Sequence, residues 1–90
     1  MPDIRHEPDA QRFAVDVEGG TAELQYRRRE HVVAFVHTFV PRASRGDDTA
    51  TSLVEAGLAW AREEGLRVRP VCPFVKAYME AHPETQDLLL

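Results

Sequence analysis

Among the side chains of this 90-residue chain that can do covalent or acid–base catalysis, His37 and the single cysteine, Cys72, are the two whose positions suggest a shared task. Pro73 follows Cys72, and proline suits the first position of a helix. The sulfur then stands at a helix N-terminus, where unpaired N–H groups favour an anion. His37 lies near the end of the apolar run HVVAFVHTFV at 31–40. An imidazole beside a thiol is the arrangement that activates a sulfur nucleophile. Taken alone, a histidine in such a run is more often a hydrogen-bonded core residue, and a lone cysteine a small buried hydrophobe. His6, His31 and His82 have no metal-ligand spacing to one another or to Cys72, so no metal site is expected.

The case for chemistry therefore rests on what positions these two residues. The run at 31–40 suits a strand buried on both faces, with Val33, Phe35, His37 and Phe39 on one side. Pro41 stops it, and Gly46 lets the backbone turn tightly. Over 49–64, Ala50, Leu53, Val54, Gly57, Leu58 and Ala61 recur at helical spacing, and Gly65 ends the helix. A strand, a glycine-bearing turn and a helix N-terminus make a ready anion site. Leu66 and Val68 mark a short strand at 66–71. A strand, a crossover helix and a second strand predict a right-handed βαβ unit. Its two strands are parallel and open at one shared edge, where α/β sheets bind ligands. That edge carries both His37 and Cys72, although topology sets no distance between them.

The remaining segments complete a sheet. Residues 12–18 alternate, with Phe13, Val15 and Val17 on one face. Gly19-Gly20 signals a hairpin, and 21–27 alternates again through Ala22, Leu24 and Tyr26. Residues 27–30 read as the next turn, with Arg27, Arg28 and Arg29 a solvated charge run rather than a phosphate patch. The first eleven residues, with Pro2 and Pro8, read as an extended, partly mobile lead-in. After Cys72, the residues Phe74, Ala77, Tyr78 and Ala81 share one face of a second helix, which Pro83 stops after His82. Leu88, Leu89 and Leu90 either dock on the sheet or meet a partner.

Composition bounds the function. Ninety residues form one domain, 1–90, with room for one modest core. A net charge of −4 argues against nucleic acid held by general electrostatics. One cysteine allows no internal disulfide. No segment resembles a signal peptide or a membrane span, which predicts a cytoplasmic protein. Arg45-Gly46-Asp47 spells a cell-adhesion tripeptide by chance.

In order along the chain, Phe13, Gly20, Ala22, Leu24, Tyr26, His37-Thr38, Val40-Pro41, Arg45-Gly46, Ala50, Leu53-Val54, Pro70, Cys72-Pro73-Phe74, Tyr78 and His82-Pro83 form a specific set. It resembles the short single-domain branch of the GNAT N-acetyltransferases over nearly the whole chain. The resemblance implies a compact α+β fold: an antiparallel meander, a βαβ unit and a C-terminal helix. It implies acetyl-CoA as co-substrate and a primary amine, on a small molecule or a protein, as acceptor. The turn Arg45, Gly46, Asp47, Asp48, Thr49 and Ala50 would hold the pyrophosphate. Thr38, Phe39 and Val40 would flank the pantetheine arm, and His37 and Cys72 are the implied catalytic residues. Two routes are open: direct attack by an amine deprotonated by His37, or an acetyl-Cys72 intermediate, which the helix-start position of Cys72 favours. Tyr78 could protonate the departing thiolate, although packing explains it as well. A monomer or weak homodimer is expected.

One departure bears on the cofactor. The family turn reads R-G-x-G-x-A, and here Asp48 replaces the second glycine while Asp47 adds another carboxylate. Aspartate suits a helix start but repels a pyrophosphate. This motivates the alternative of a catalytically weak or inactive binding module on the same fold.

Overall fold

The computed structural model describes residues 3–90. The alternating segments form a mixed five-stranded sheet in the order β1-β2-β3-β4-β5. The strands are β1 (Arg5–Glu7), β2 (Arg12–Val17), β3 (Gly20–Arg29), β4 (Val32–Phe39) and β5 (Arg67–Pro70). Helix α1 (Thr49–Glu63) crosses from β4 to β5, and α2 (Pro73–Ala81) follows β5. The first four strands pair antiparallel, and β4 pairs parallel with β5. The expected meander and βαβ unit are both present.

Part of the lead-in is a strand. Pro2 lies outside the described residues, but β1 pairs with β2, Arg5 opposite Ala14. The sequence has too few apolar residues there to show a period. Side chains hold the strand instead. Arg5 bonds Glu7 and Asp16, each at 3.1 Å. His6 stacks on Phe13 at 4.2 Å and shares a 2.6 Å hydrogen bond with the Tyr26 hydroxyl. Burial pushes the His6 imidazole below its usual range, as desolvation of a cation must.

The turn expected at 27–30 also moves. β3 continues through Arg29, and the turn is made by Glu30, with φ 55°, and His31. Arg28 points to the helix side and lies 5.7 Å from the Trp60 ring centroid. Arg27 and Arg29, one residue either side, take the other face.

Both helices cover a single face of the sheet. The core joins Phe13, Val15, Leu24, Tyr26, Val33 and Phe35 to Leu53, Val54, Leu58 and Ala61 of α1. In α2 the buried residues are Val75 and Met79, in register with Cys72. Of the stripe Phe74, Ala77, Tyr78 and Ala81, Tyr78 packs partly buried against the core, while Phe74 is 40% exposed. Both stripes have helical spacing, so periodicity could not choose between them. The expectation that β4 is buried on both faces fails for a similar reason: an apolar run does not say how many layers cover it.

Helix α1 ends in a paired-carbonyl cap. Leu66 N–H donates to Ala61 O and Gly65 N–H to Arg62 O, with Gly65 at φ 71°. The terminal leucines dock. Leu88 is buried, Leu89 bridges Val68, and Leu90 N–H donates to Val68 O, so the tail shields the β5 edge.

Gly57 sets the helix–sheet distance. A Cβ there would lie 2.9 Å from Phe35 Cε1 and 3.0 Å from Leu24 Cδ2. Gly57→Ala is expected to destabilise by about 1–3 kcal/mol through overpacking, outweighing the roughly 1 kcal/mol gain in helix propensity. Denaturant unfolding checks this, and a more stable variant would contradict it.

Candidate active site at the open end of the sheet

β4 and β5 are in register only from Val32↔Arg67 to Phe35↔Pro70. Cys72 N–H then donates to Phe35 O at 2.8 Å, and the chain leaves the sheet into α2. β4 continues to Phe39 with β3 on one side and no β5 residue opposite. The result is a strand edge open between the ends of two parallel strands.

A bulge sits at the start of this edge. Gln25 pairs with His37 and Tyr26 with Phe35, so Val36 is an extra residue in β4. One extra residue reverses the alternation beyond it. Thr38, opposite Leu24, joins the helix face with Phe35. His37 and Phe39, opposite Gln25 and Glu23, take the outer face, and both are exposed. The expectation that His37 shares a face with Val33 and Phe35 is therefore corrected; it shares one with Phe39. A straight period of two cannot reveal the inserted residue.

This separates the expected Cys–His pair. Cys72 is 5% exposed on the helix side, and its sulfur shares a 3.3 Å hydrogen bond with the Thr38 hydroxyl. His37 faces away across the sheet. Both flank the open edge, from opposite sides, and the thiol has a hydroxyl rather than an imidazole as its neighbour. Cys72 keeps the helix-start position that favoured the covalent route, but the imidazole expected to activate its thiol lies on the other face of the sheet.

On the helix side, the segment after β4 shapes a cleft of about 200 Å³ lined by Val40, Ser44, Arg45, Gly46, Asp47, Ala50, Thr51 and Phe74. A short 3₁₀ turn, Arg42–Ser44, opens this segment. Ser44 Oγ donates to Glu18 O at 2.9 Å, tying it to the β2–β3 hairpin. Gly46, at φ 96°, makes the turn that brings the chain back to α1. Arg45 Nε donates to Val40 O at 2.9 Å, which keeps its guanidinium beside the cleft. Ser44, Thr51 and Phe74 were not expected here. Phe74, directly after the helix-starting Pro73, lies off the buried stripe of Val75 and Met79.

The α1 N-terminus shows how the altered turn behaves. Thr49 N–H donates to Asp47 Oδ1 at 2.9 Å, and Ser52 N–H to Asp48 O. Among the described residues, Ala50 and Thr51 N–H have no protein acceptor. The Asp47 carboxyl is held below the usual carboxylate range by its hydrogen bonds to Thr49. Asp47, rather than Asp48, supplies the capping side chain. Asp48 has φ −90°, a conformation open to any residue. The glycine it replaces is thus not required by this backbone.

Tyr78 lies elsewhere along the helices. Its hydroxyl donates to Glu55 Oε2 at 3.3 Å and its ring stacks on His82 at 3.9 Å. Burial and the neighbouring Glu55 and Glu84 carboxylates push the phenol above its usual range. It lines a groove with Glu55, Leu58 and Arg62 between α1 and α2, not the cleft at the α1 start.

A mixed sheet with helices on one face, parting parallel strands and a helix N-terminus beside the gap defines an acyltransferase-type α+β fold. Residues 12–88 match the family profile of the GCN5-related N-acetyl-transferases, and the chain belongs to that family. It is 31% identical over 88 residues to Protein NATD1 of Mus musculus, covering 94% of this chain and 80% of that one. Protein NATD1 of Homo sapiens is also 31% identical, with 94% and 78% covered. The fold matches the NMR solution structure of a GCN5-like protein from Staphylococcus aureus with a TM-score of 0.74, at 26% identity over 98% of this chain and 87% of that one.

The cleft tests the fit of an acyl-CoA. The two free N–H groups and Arg45 suit a pyrophosphate, and Val40 and Phe74 suit an apolar arm; the Asp47 carboxylate opposes the anion. Asp47→Asn retains a capping oxygen and removes the charge. It is expected to tighten acetyl-CoA binding by about fivefold, the effect of one unit charge at close range in water. Calorimetric titration checks this, and unchanged or weaker binding would contradict it.

Proposed function

We propose that this protein transfers an acetyl group from acetyl-CoA to a primary amine by direct attack. Family membership supports acetyl transfer in general. The observation that carries the direct route is the open β4 edge with His37 on one side and the α1 cleft on the other. Acetyl-CoA supplies a thioester: its carbonyl carbon gains the amine nitrogen, the C–S bond breaks, and one amine proton ends on the departing sulfur.

The chain's own residues divide the remaining work. Ala50 and Thr51 N–H groups, with Arg42 and Arg45, bind phosphate oxygens. Thr38, Phe39, Val40 and Phe74 orient the arm along the edge. A main-chain N–H left unpaired on that edge donates to the developing oxyanion. His37, on the outer face, takes the proton from an amine approaching there. The Thr38–Cys72 hydrogen bond holds the start of α2 against β4.

A second reading has one observation behind it. The Asp47 carboxylate already accepts from the α1 N-terminus, as it would in a module that has lost its acyl-CoA. No saturable acetyl-CoA binding at about millimolar concentration would favour that reading over the enzyme.

His37→Ala is expected to lower kcat/KM by about 10²–10⁴-fold, the usual contribution of a general base. Cys72→Ala is expected to retain turnover. Intact-mass measurement after mixing with acetyl-CoA completes the test. An acetyl-Cys72 adduct, with turnover lost in Cys72→Ala, would replace direct transfer by the covalent route.

A further inference from the structure

The chain is acidic overall, yet its unpaired arginines are gathered on two surfaces. Of its ten arginines, Arg5, Arg12, Arg28 and Arg62 form ion pairs. Among the described residues the other six have no carboxylate within ion-pair distance. Arg45 lies beside the α1 cleft, and Arg42 begins the 3₁₀ turn that leads to it. Arg27, Arg29, Arg67 and Arg69 lie on the outer face of the sheet, the face no helix covers.

Register arranges these four. Arg29, Val32 and Arg67 lie across β3, β4 and β5 in one row; Arg27, Ala34 and Arg69 lie in the next. Neighbouring strands are about 4.8 Å apart and same-face residues about 6.7 Å apart along a strand. The arginines therefore stand at the corners of a rectangle roughly 10 Å by 7 Å, with Val32 and Ala34 as its floor. A groove of about 490 Å³ over this floor is lined by Arg27, Arg29, Glu30 and Arg69, with Arg67 next to it in the register and turned to Asp87 O. Arg27 donates to Tyr26 O and Arg67 to Asp87 O; Arg29 and Arg69 have no protein partner among the described residues. One step beyond Arg27 on the same face comes Gln25, and opposite Gln25 is His37.

We infer that the acceptor is an amine on an acidic peptide segment, laid across the outer face so that its Asp or Glu side chains meet Arg27, Arg29, Arg67 and Arg69 while the amine reaches His37. This rests on the acetyltransferase reading above. The rectangle is too short to track a nucleic-acid backbone, and its floor is apolar. Its charge repels polyamines and other cationic acceptors, and fits carboxylates through paired guanidinium contacts. An acidic peptide also offsets the positive charge of the acceptor lysine itself.

Binding is measured first, without acetyl-CoA, by fluorescence anisotropy of a labelled lysine peptide flanked by glutamates and its glutamine counterpart. The glutamate peptide is expected to bind at least about tenfold tighter at low salt, and the difference to shrink as salt screens it. Arg29→Gln with Arg69→Gln removes most of the preference; both side chains are exposed, and circular dichroism confirms that the variant folds. Lys76→Gln, on α2, leaves the preference intact. Equal binding of the two peptides, or tighter binding of an oligonucleotide, overturns the proposal whatever the enzyme does. Acetylation is then followed with acetyl-CoA. Arginine-dependent binding with no acetylation overturns the enzymatic reading and leaves the surface standing. Acetylation that is indifferent to flanking charge, or faster on spermidine, overturns the surface as acceptor site and leaves the enzyme.

Discussion

The hydrogen bond from Cys72 N–H to Phe35 O is where the structure turns into a site. It is the last link between the two parallel strands. Past it, β5 gives way to α2 and β4 runs on alone. Pro70 and Pro73 enforce the departure, since neither has an N–H to continue a ladder and Pro73 is shaped to begin a helix. The bulge at Val36 then rotates the free end of β4, so that Thr38 looks toward the helices and His37 toward solvent. Everything assigned to the site is measured from that divergence: the cleft on one side, the imidazole on the other, the exposed edge between.

The sequence made the elements legible wherever a period was unopposed. The meander, the crossover helix, its glycine stop and the parallel return strand all follow from alternation, helical spacing and turn residues. The site was legible in its parts rather than its pairing. Arg45, Gly46 and Ala50 do surround a helix-start cleft beside Val40, but the Cys72–His37 contact is replaced by Cys72–Thr38. The difference is a single inserted residue, and a bulge of one residue leaves no mark on hydrophobic patterning. Helix α2 has two apolar stripes, one through Val75 and Met79 and one through Phe74 and Tyr78, and periodicity does not rank them. Only the position of Cys72, anchored to the sheet, decides which stripe turns inward.

Charge tells a related story. In one dimension Arg27, Arg28 and Arg29 are a run, and runs are ordinarily solvated turns. In three dimensions the strand continues through them and splits them between faces. Arg28 covers Trp60, while its neighbours join Arg67 and Arg69 from a strand nearly forty residues away. Likewise Asp47 and Asp48 look alike in sequence. Only Asp47 bends back to the helix start, so the two carboxylates have different consequences for an anion arriving there.

In the proposed reaction a donor thioester lies along the free edge of β4 with its phosphates at the start of α1. Backbone amide spectra recorded during titration with acetyl-CoA test this most directly. Saturable shifts are expected at Ala50 and Thr51 together with Thr38 and Phe39. Shifts confined to one of these two segments, or to the outer sheet face, would contradict it.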